Sequence, residues 1–242
     1  MNTKPIALVV IAAAILGAFA TRAHQAPATT NTTNTPSYTS DGQLRFPSNY
    51  RQWVYVTTGF DMSYNPAMSM DHHMFDNVFV NPEAYAAFLN SGTWPDKTML
   101  LVEVRSAKNK GSINQAGHFQ DTDVMGLEVH VKDESRFHSQ GNWAFFGFEP
   151  SAITASANPD PANATNRPSG ASNASTSAQA NPQPSTATSK MTPTSAACYS
   201  CHAQHAAVDT TFVQFYPTLL PIAQTHQTLS PTYTKESAAR KP

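Results

Sequence analysis

Both cysteines of the 242-residue chain lie in one short run, Cys198-Tyr199-Ser200-Cys201-His202. Two thiols at this spacing, followed at once by an imidazole, form the C-x-x-C-H pattern by which c-type haem is attached. At the start of a helix each thiol can add to one vinyl group of a single porphyrin. The tethers then hold the histidine under the iron as its proximal ligand. Other chemistries draw on the same residues. A redox dithiol is expected beside a βαβ pattern, and none surrounds this run. A disulfide between cysteines this close closes too small a loop to stabilise much. Zinc is the stronger rival, because Cys198, Cys201, His202 and His205 offer four suitable ligands. Wrapping all four around one tetrahedral ion is awkward, with His202 adjacent to Cys201 and His205 one helical turn on. One covalently bound haem c is therefore the expected cofactor, tethered by Cys198 and Cys201 with His202 as iron ligand.

The part of the chain able to position such a group is shorter than the whole. Lys4 precedes an apolar run from Ile6 to Phe19 that ends in the small-x-small triplet Ala18-Phe19-Ala20. This predicts a secretory signal peptide over 1–20, too short to span a bilayer, and hence a periplasmic or otherwise exported protein. Residues 21–42, 151–197 and 228–242 are poor in large apolar side chains. Such stretches bury too little apolar surface to offset their ordering entropy. They are read as a disordered N-terminal segment, a disordered Ala/Ser/Thr/Asn/Pro-rich loop and a polar tail. One haem domain over 43–227 remains, interrupted by the loop. With 15 basic against 16 acidic residues the net charge is −1, which gives no electrostatic footprint for nucleic acid. No basic run suits an anionic membrane surface either.

Within 43–150 strand signals dominate. Trp53–Thr57 and Phe75–Val80 are β-branched and aromatic. Asn81-Pro82 predicts a helix start, with Asn81 as N-cap, and Ser91-Gly92 its end. Three further strands are expected at 98–106, 124–132 and 143–148, with turns at Asn109–Ser112 and Ser139–Gly141. Leu100, Val102 and Val104 alternate with Leu101, Glu103 and Arg105; Leu127, Val129 and Val131 alternate with Glu128, His130 and Lys132. The pattern reads as one antiparallel sheet with one buried face. Phe212 to Ala223 reads as a short apolar helical segment broken by Pro217 and Pro221. The fold class is mainly β (α+β), an unusual frame for a c-type haem.

That combination resembles the cytochrome P-460 family and its close relative cytochrome c′-beta. The resemblance rests on an ordered set of words: Phe46-Pro47-x-Asn49-Tyr50-Arg51-x-Trp53-Val54, Asn81-Pro82-Glu83-Ala84-Tyr85, Gly126-Leu127-Glu128, Val131-Lys132-Asp133, Gly141-Asn142-Trp143-Ala144-Phe145-Phe146, Cys198-x-x-Cys201-His202 and Phe212-x-x-Phe215-Tyr216-Pro217. It implies a periplasmic, antiparallel β domain, usually a homodimer, with one five-coordinate haem on His202 and an open distal face. It also implies that members with the best-known activity oxidise hydroxylamine. Those carry a lysine bonded to a haem meso carbon and use a distal carboxylate.

This sequence departs from the pattern at the lysine. Aligning Gly92, Thr98 and Glu103 with the corresponding stretch puts Val102 at the lysine position, with Lys97 and Lys108 the nearest alternatives. If Val102 faces the haem, alternation places Leu100 and Val104 beside it, a hydrocarbon distal lining without a proton acceptor. Such a lining suits a neutral diatomic such as nitric oxide. The expected function is therefore a cytochrome that binds nitric oxide or similar small nitrogen species and exchanges electrons with a redox partner protein. A hydroxylamine-oxidising enzyme is the alternative.

Other residues have two readings. Met62, Met68, Met70, His72, His73 and Met74 could supply a sixth iron ligand or a soft-metal site, or form a loop packed on the sheet. Phe75, Phe79 and Phe119 are candidates for an aromatic cap over the iron or plain core. His118, His130 and His138 are expected in solvent. Glu128, part of the family wording, could orient a partner near the haem or take a surface or hydrogen-bonding role on the polar face. The loop before Cys198 is read as a spacer, since closing a longer loop costs only about 0.6 kcal/mol per doubling.

Overall fold

The computed structural model describes residues 34–63, 72–154 and 185–239. The expected signal peptide, Met68 and Met70, and most of the loop before Cys198 lie outside them. In chain order the elements are β1 (Leu44–Arg45), β2 (Val54–Phe60), β3 (Met74–Val80), α1 (Pro82–Ser91), β4 (Met99–Lys108), β5 (Phe119–Lys132), β6 (Trp143–Phe148), α2 (Ser151–Thr154), β7 (Thr188–Ser189), α3 (Ala197–His205), α4 (Leu220–His226) and α5 (Pro231–Ala239). Strands β2 to β6 form one antiparallel meander in sequence order, and β1 pairs with β7 in a two-stranded ribbon. This is the mainly β architecture with a few helices that the alternation predicts. Both β4 and β5 run further into their shared hairpin than expected. Among the described residues no helix is long and apolar enough to cross a membrane.

Three departures have simple physical causes. First, both faces of the sheet are covered. Leu101, Leu127, Val129, Val131 and Phe146 bury against Phe46, Tyr50 and Trp53. On the other face Val78, Val80 and Leu100 bury against Phe88, Trp94, Val213 and Leu219. The polar residues in phase with the first set do not mark a solvent face either: Glu103 and Arg105 lie on the same side of β4 as Leu101. Buried Glu103 is satisfied instead by Tyr50, Arg105 and Arg51, whose Nη2 lies 2.7 Å from Glu103 Oε2.

Second, the edges of the segments expected to be disordered are ordered wherever the backbone finds partners. Asn34 accepts hydrogen bonds from Trp53 Nε1 at 3.1 Å and Asn49 Nδ2 at 2.6 Å. Tyr38 lies under the Arg136 guanidinium. The Thr192 amide bonds the Phe145 carbonyl at 2.8 Å, and β7 pairs with β1. The polar tail contains α5, with Tyr233 packed on the second cluster and the Ser230 amide on the Ala207 carbonyl at 2.7 Å. Main-chain pairing needs no apolar side chain, so composition under-reads it.

Third, Asn81 stands at the start of α1 but does not cap it. Its Oδ1 accepts the Met99 amide at 2.8 Å, tying the helix start to β4. Pro221 likewise sits in the first turn of α4, where its missing N–H costs nothing, rather than breaking a helix. At the end of α1, Gly92 is left-handed (φ +69°), and a Cβ there would lie 2.8 Å from the Cβ of His226. A Gly92→Ala protein is therefore expected to lose about 1–3 kcal/mol in denaturant unfolding.

Candidate haem-binding site

The functional run forms α3. Cys198, Cys201 and His202 stand at i, i+3 and i+4, so one helix face carries both thiols and the imidazole. Both thiols are free and half-buried. His202 Nδ1 bonds the Thr210 carbonyl at 2.7 Å, so Nδ1 carries the proton and Nε2 keeps its lone pair. The ring is held by Phe212 at 4.2 Å between centroids and by the edge of Phe145 at 4.7 Å. Burial lowers the His202 pKa against the opposing pull of the Thr210 carbonyl, which favours the neutral, ligating imidazole. The zinc alternative gathers no site, because His205 turns to Glu236 at 3.2 Å. Among the described residues no three His, Cys, Asp or Glu side chains meet as metal ligands.

His202 borders a cavity of about 400 Å³ between the sheet and the 211–216 segment. Strand register orders this face of the sheet in three rungs. The first runs Gly59, Asp76, Val104, Gly126; the second Thr57, Val78, Val102, Glu128, Gly147; the third Val80, Leu100, His130, Phe145. His202 stands at the third rung, beside His130 and Phe145. Leu100, Val102 and Val104 thus share the cavity wall with it. Added Cβ atoms at Gly126 and Gly147, on the same face of the sheet, would meet nothing within 4 Å, so this face is open beyond the cavity. A second hollow of about 580 Å³ reaches Cys201 and shares Phe212 and Phe215 with the first. A covalently tethered porphyrin fits this arrangement: two thiols and an aligned imidazole on one side, an open, mostly apolar sheet face on the other.

Several expectations need correction. The wall is not hydrocarbon alone, since Asp76 and Glu128 also line it. Burial, with the charges of Glu128 and Asp61 behind it, raises the Asp76 pKa. Both carboxylates were reachable from the alternation: Asp76 is in phase with Val78 and Val80, and Glu128 with His130. Glu128 lines the cavity and is exposed there, which combines its two readings. His130 is not in solvent. It is 8% exposed, stacked on Phe145, and burial beside His202 keeps it neutral. His118 and His138 are exposed. None of Phe75, Phe79 and Phe119 lines the cavity; Phe79 packs against Tyr50 and Tyr55 on the reverse face. The aromatic side chains at the cavity are Phe145, Phe212, Phe215 and Tyr216.

Met62 and Met74 also line it, with Met62 folded back over Gly59. His72 and His73 are exposed, and His73 pairs with Asp61. Lys97 is bound to Asp133 at 2.5 Å and Lys108 to Asp121 at 2.6 Å. Among the described residues no lysine lines the cavity. No curated protein matches the chain. The family model described as cytochrome P460 matches residues 47–167, half of the chain and the whole five-stranded sheet, and the chain belongs to this family.

Proposed function

We propose that the protein is an exported mono-haem c-type cytochrome that binds nitric oxide or a similar small nitrogen species. The family is one of haem proteins. The observation that carries the finer reading is the placement of Cys198, Cys201 and His202 on one face of α3, with the imidazole at a cavity walled by Leu100, Val102 and Val104. A bound haem would be held by Cys198, Cys201 and His202 and would supply an iron able to take a small nitrogen ligand. Cys198 and Cys201 supply the tethers, and the Thr210 carbonyl fixes the tautomer of His202. Leu100, Val102 and Val104 keep their stretch of the wall apolar, which favours a neutral diatomic over ions there. The apolar run Ile6–Phe19 supports export. A redox partner protein and a homodimer complete the proposal.

A second reading, hydroxylamine oxidation at the same site, is favoured by one observation: Asp76 and Glu128 supply proton acceptors on the wall. The visible spectrum distinguishes the two. The chain, matured in a host that attaches c-type haem, is expected to show an ordinary high-spin c-type spectrum that shifts on adding nitric oxide. A broadened, strongly red-shifted reduced Soret band, with a lysine joined to haem in peptide maps, would favour the enzyme.

A further inference from the structure

Haem attachment does not account for one buried side chain beside His202. His130 stacks on Phe145 with centroids 4.0 Å apart at 10°, and leans on Trp143 at 4.4 Å. A phenylalanine would fill this slot without the cost of desolvating an imidazole. What the imidazole adds is a polar contact, Nε2 to Thr210 Oγ1 at 3.3 Å. The carbonyl of the same residue accepts the His202 Nδ1 hydrogen bond. Thr210 stands in a tight turn, with Val208 and Thr211 bridged to each other and Asp209 at φ +51°. Its neighbours are anchored separately. Lys132 Nζ reaches Asp209 at 3.4 Å, and Trp94 Nε1 donates to Thr211 Oγ1 at 2.7 Å. Among the described residues, His130 alone ties the Thr210 side chain to the sheet.

We propose that His130 is a positioning residue for the proximal ligand: by holding the Thr210 hydroxyl it fixes the direction of the Thr210 carbonyl, and with it the strength of the hydrogen bond that His202 donates. The inference rests on His202 being the proximal haem ligand. A well-aligned acceptor at Nδ1 raises the basicity of a ligating imidazole and favours the oxidised metal. Loosening it shifts the balance toward the reduced state.

The test uses the holoprotein. His130→Phe keeps the ring stack and removes Nε2; Thr210→Val removes the hydroxyl and keeps the carbonyl. Each is expected to raise the midpoint potential, so that the ratio of reduced to oxidised protein at a fixed applied potential rises about two- to tenfold, the equivalent of one neutral hydrogen bond. Each is also expected to lower the iron–histidine stretching frequency in resonance Raman spectra. The double variant should shift no further than either single one. A Thr210→Val protein with the wild-type potential and stretching band overturns the proposal, as do shifts that add in the double variant. Thr210 is only half-buried, so that arm survives if His130→Phe does not fold. A purified chain without covalent haem would sink the functional reading itself, and this inference with it. Haem present with an unmoved potential sinks the inference alone.

Discussion

A Cys198→Ala/Cys201→Ala protein is expected to have the mass of its polypeptide alone under denaturing conditions, whereas the wild type carries the added mass of one haem. Each single variant should retain the haem through its remaining thiol. The expectation follows from the placement of the two half-buried thiols one helical turn apart, on the face that also carries His202. With both thiols gone, a haem is held only by His202 and by contact with the cavity walls. Acid and organic solvent then extract it, because no covalent bond resists them. A His202→Ala protein should behave oppositely, keeping the haem mass and losing the absorption signature of an imidazole-ligated iron. If instead the wild type shows the bare polypeptide mass and the variants lose bound zinc, the site is a metal staple. In that case His205 would have to leave Glu236 and turn toward the thiols.

The alternation in β3, β4 and β5 made the site's floor legible. A period of two fixes which side chains share a face, so the wall position of Leu100, Val102 and Val104 follows from the sequence. The same rule would have placed Asp76 and His130 there. His130 was missed because polar residues in a strand were assigned to solvent, and Asp76 was given no reading; a cofactor cavity also takes the polar side of an amphipathic strand. The ordered ends of the low-complexity segments were illegible for a different reason. Thr192, Ser230 and Asn34 are held by main-chain or amide hydrogen bonds, which composition does not record. Thr210 carries no signal in the local sequence. Its role depends on a turn that brings its carbonyl to His202, and no period or motif encodes that approach.

Asp76→Asn combined with Glu128→Gln is expected to separate the two candidate activities. Oxidising hydroxylamine releases protons, and the two carboxylates are the acidic side chains on the described wall. A positioned base contributes about 10²–10⁴-fold. If the protein turns over hydroxylamine, the double variant should lose at least about a hundredfold in kcat. Nitric oxide has no proton to give, so its affinity should change by less than about tenfold, the range of one lost polar contact. Unchanged turnover in the double variant would show that the carboxylates accept no proton in the reaction. Stability gives an independent check on Asp76. Burial raises its pKa in the folded state, with Glu128 and Asp61 adding to the effect. A carboxyl whose folded pKa lies above the unfolded value of about 3.9 binds its proton more tightly when folded. Its contribution is complete below the unfolded pKa and is lost as pH rises through the folded one. Asp76→Asn removes that loss, so its Tm should exceed the wild type's at pH 7, and the gap should close as pH falls below about 3.9. A bound haem would bury Asp76 further and widen the gap, so the same comparison in holoprotein and haem-free chain reports whether the carboxylate faces the haem. An equal or lower Tm for Asp76→Asn at pH 7 would mean that burial of the Asp76 charge does not weaken the fold.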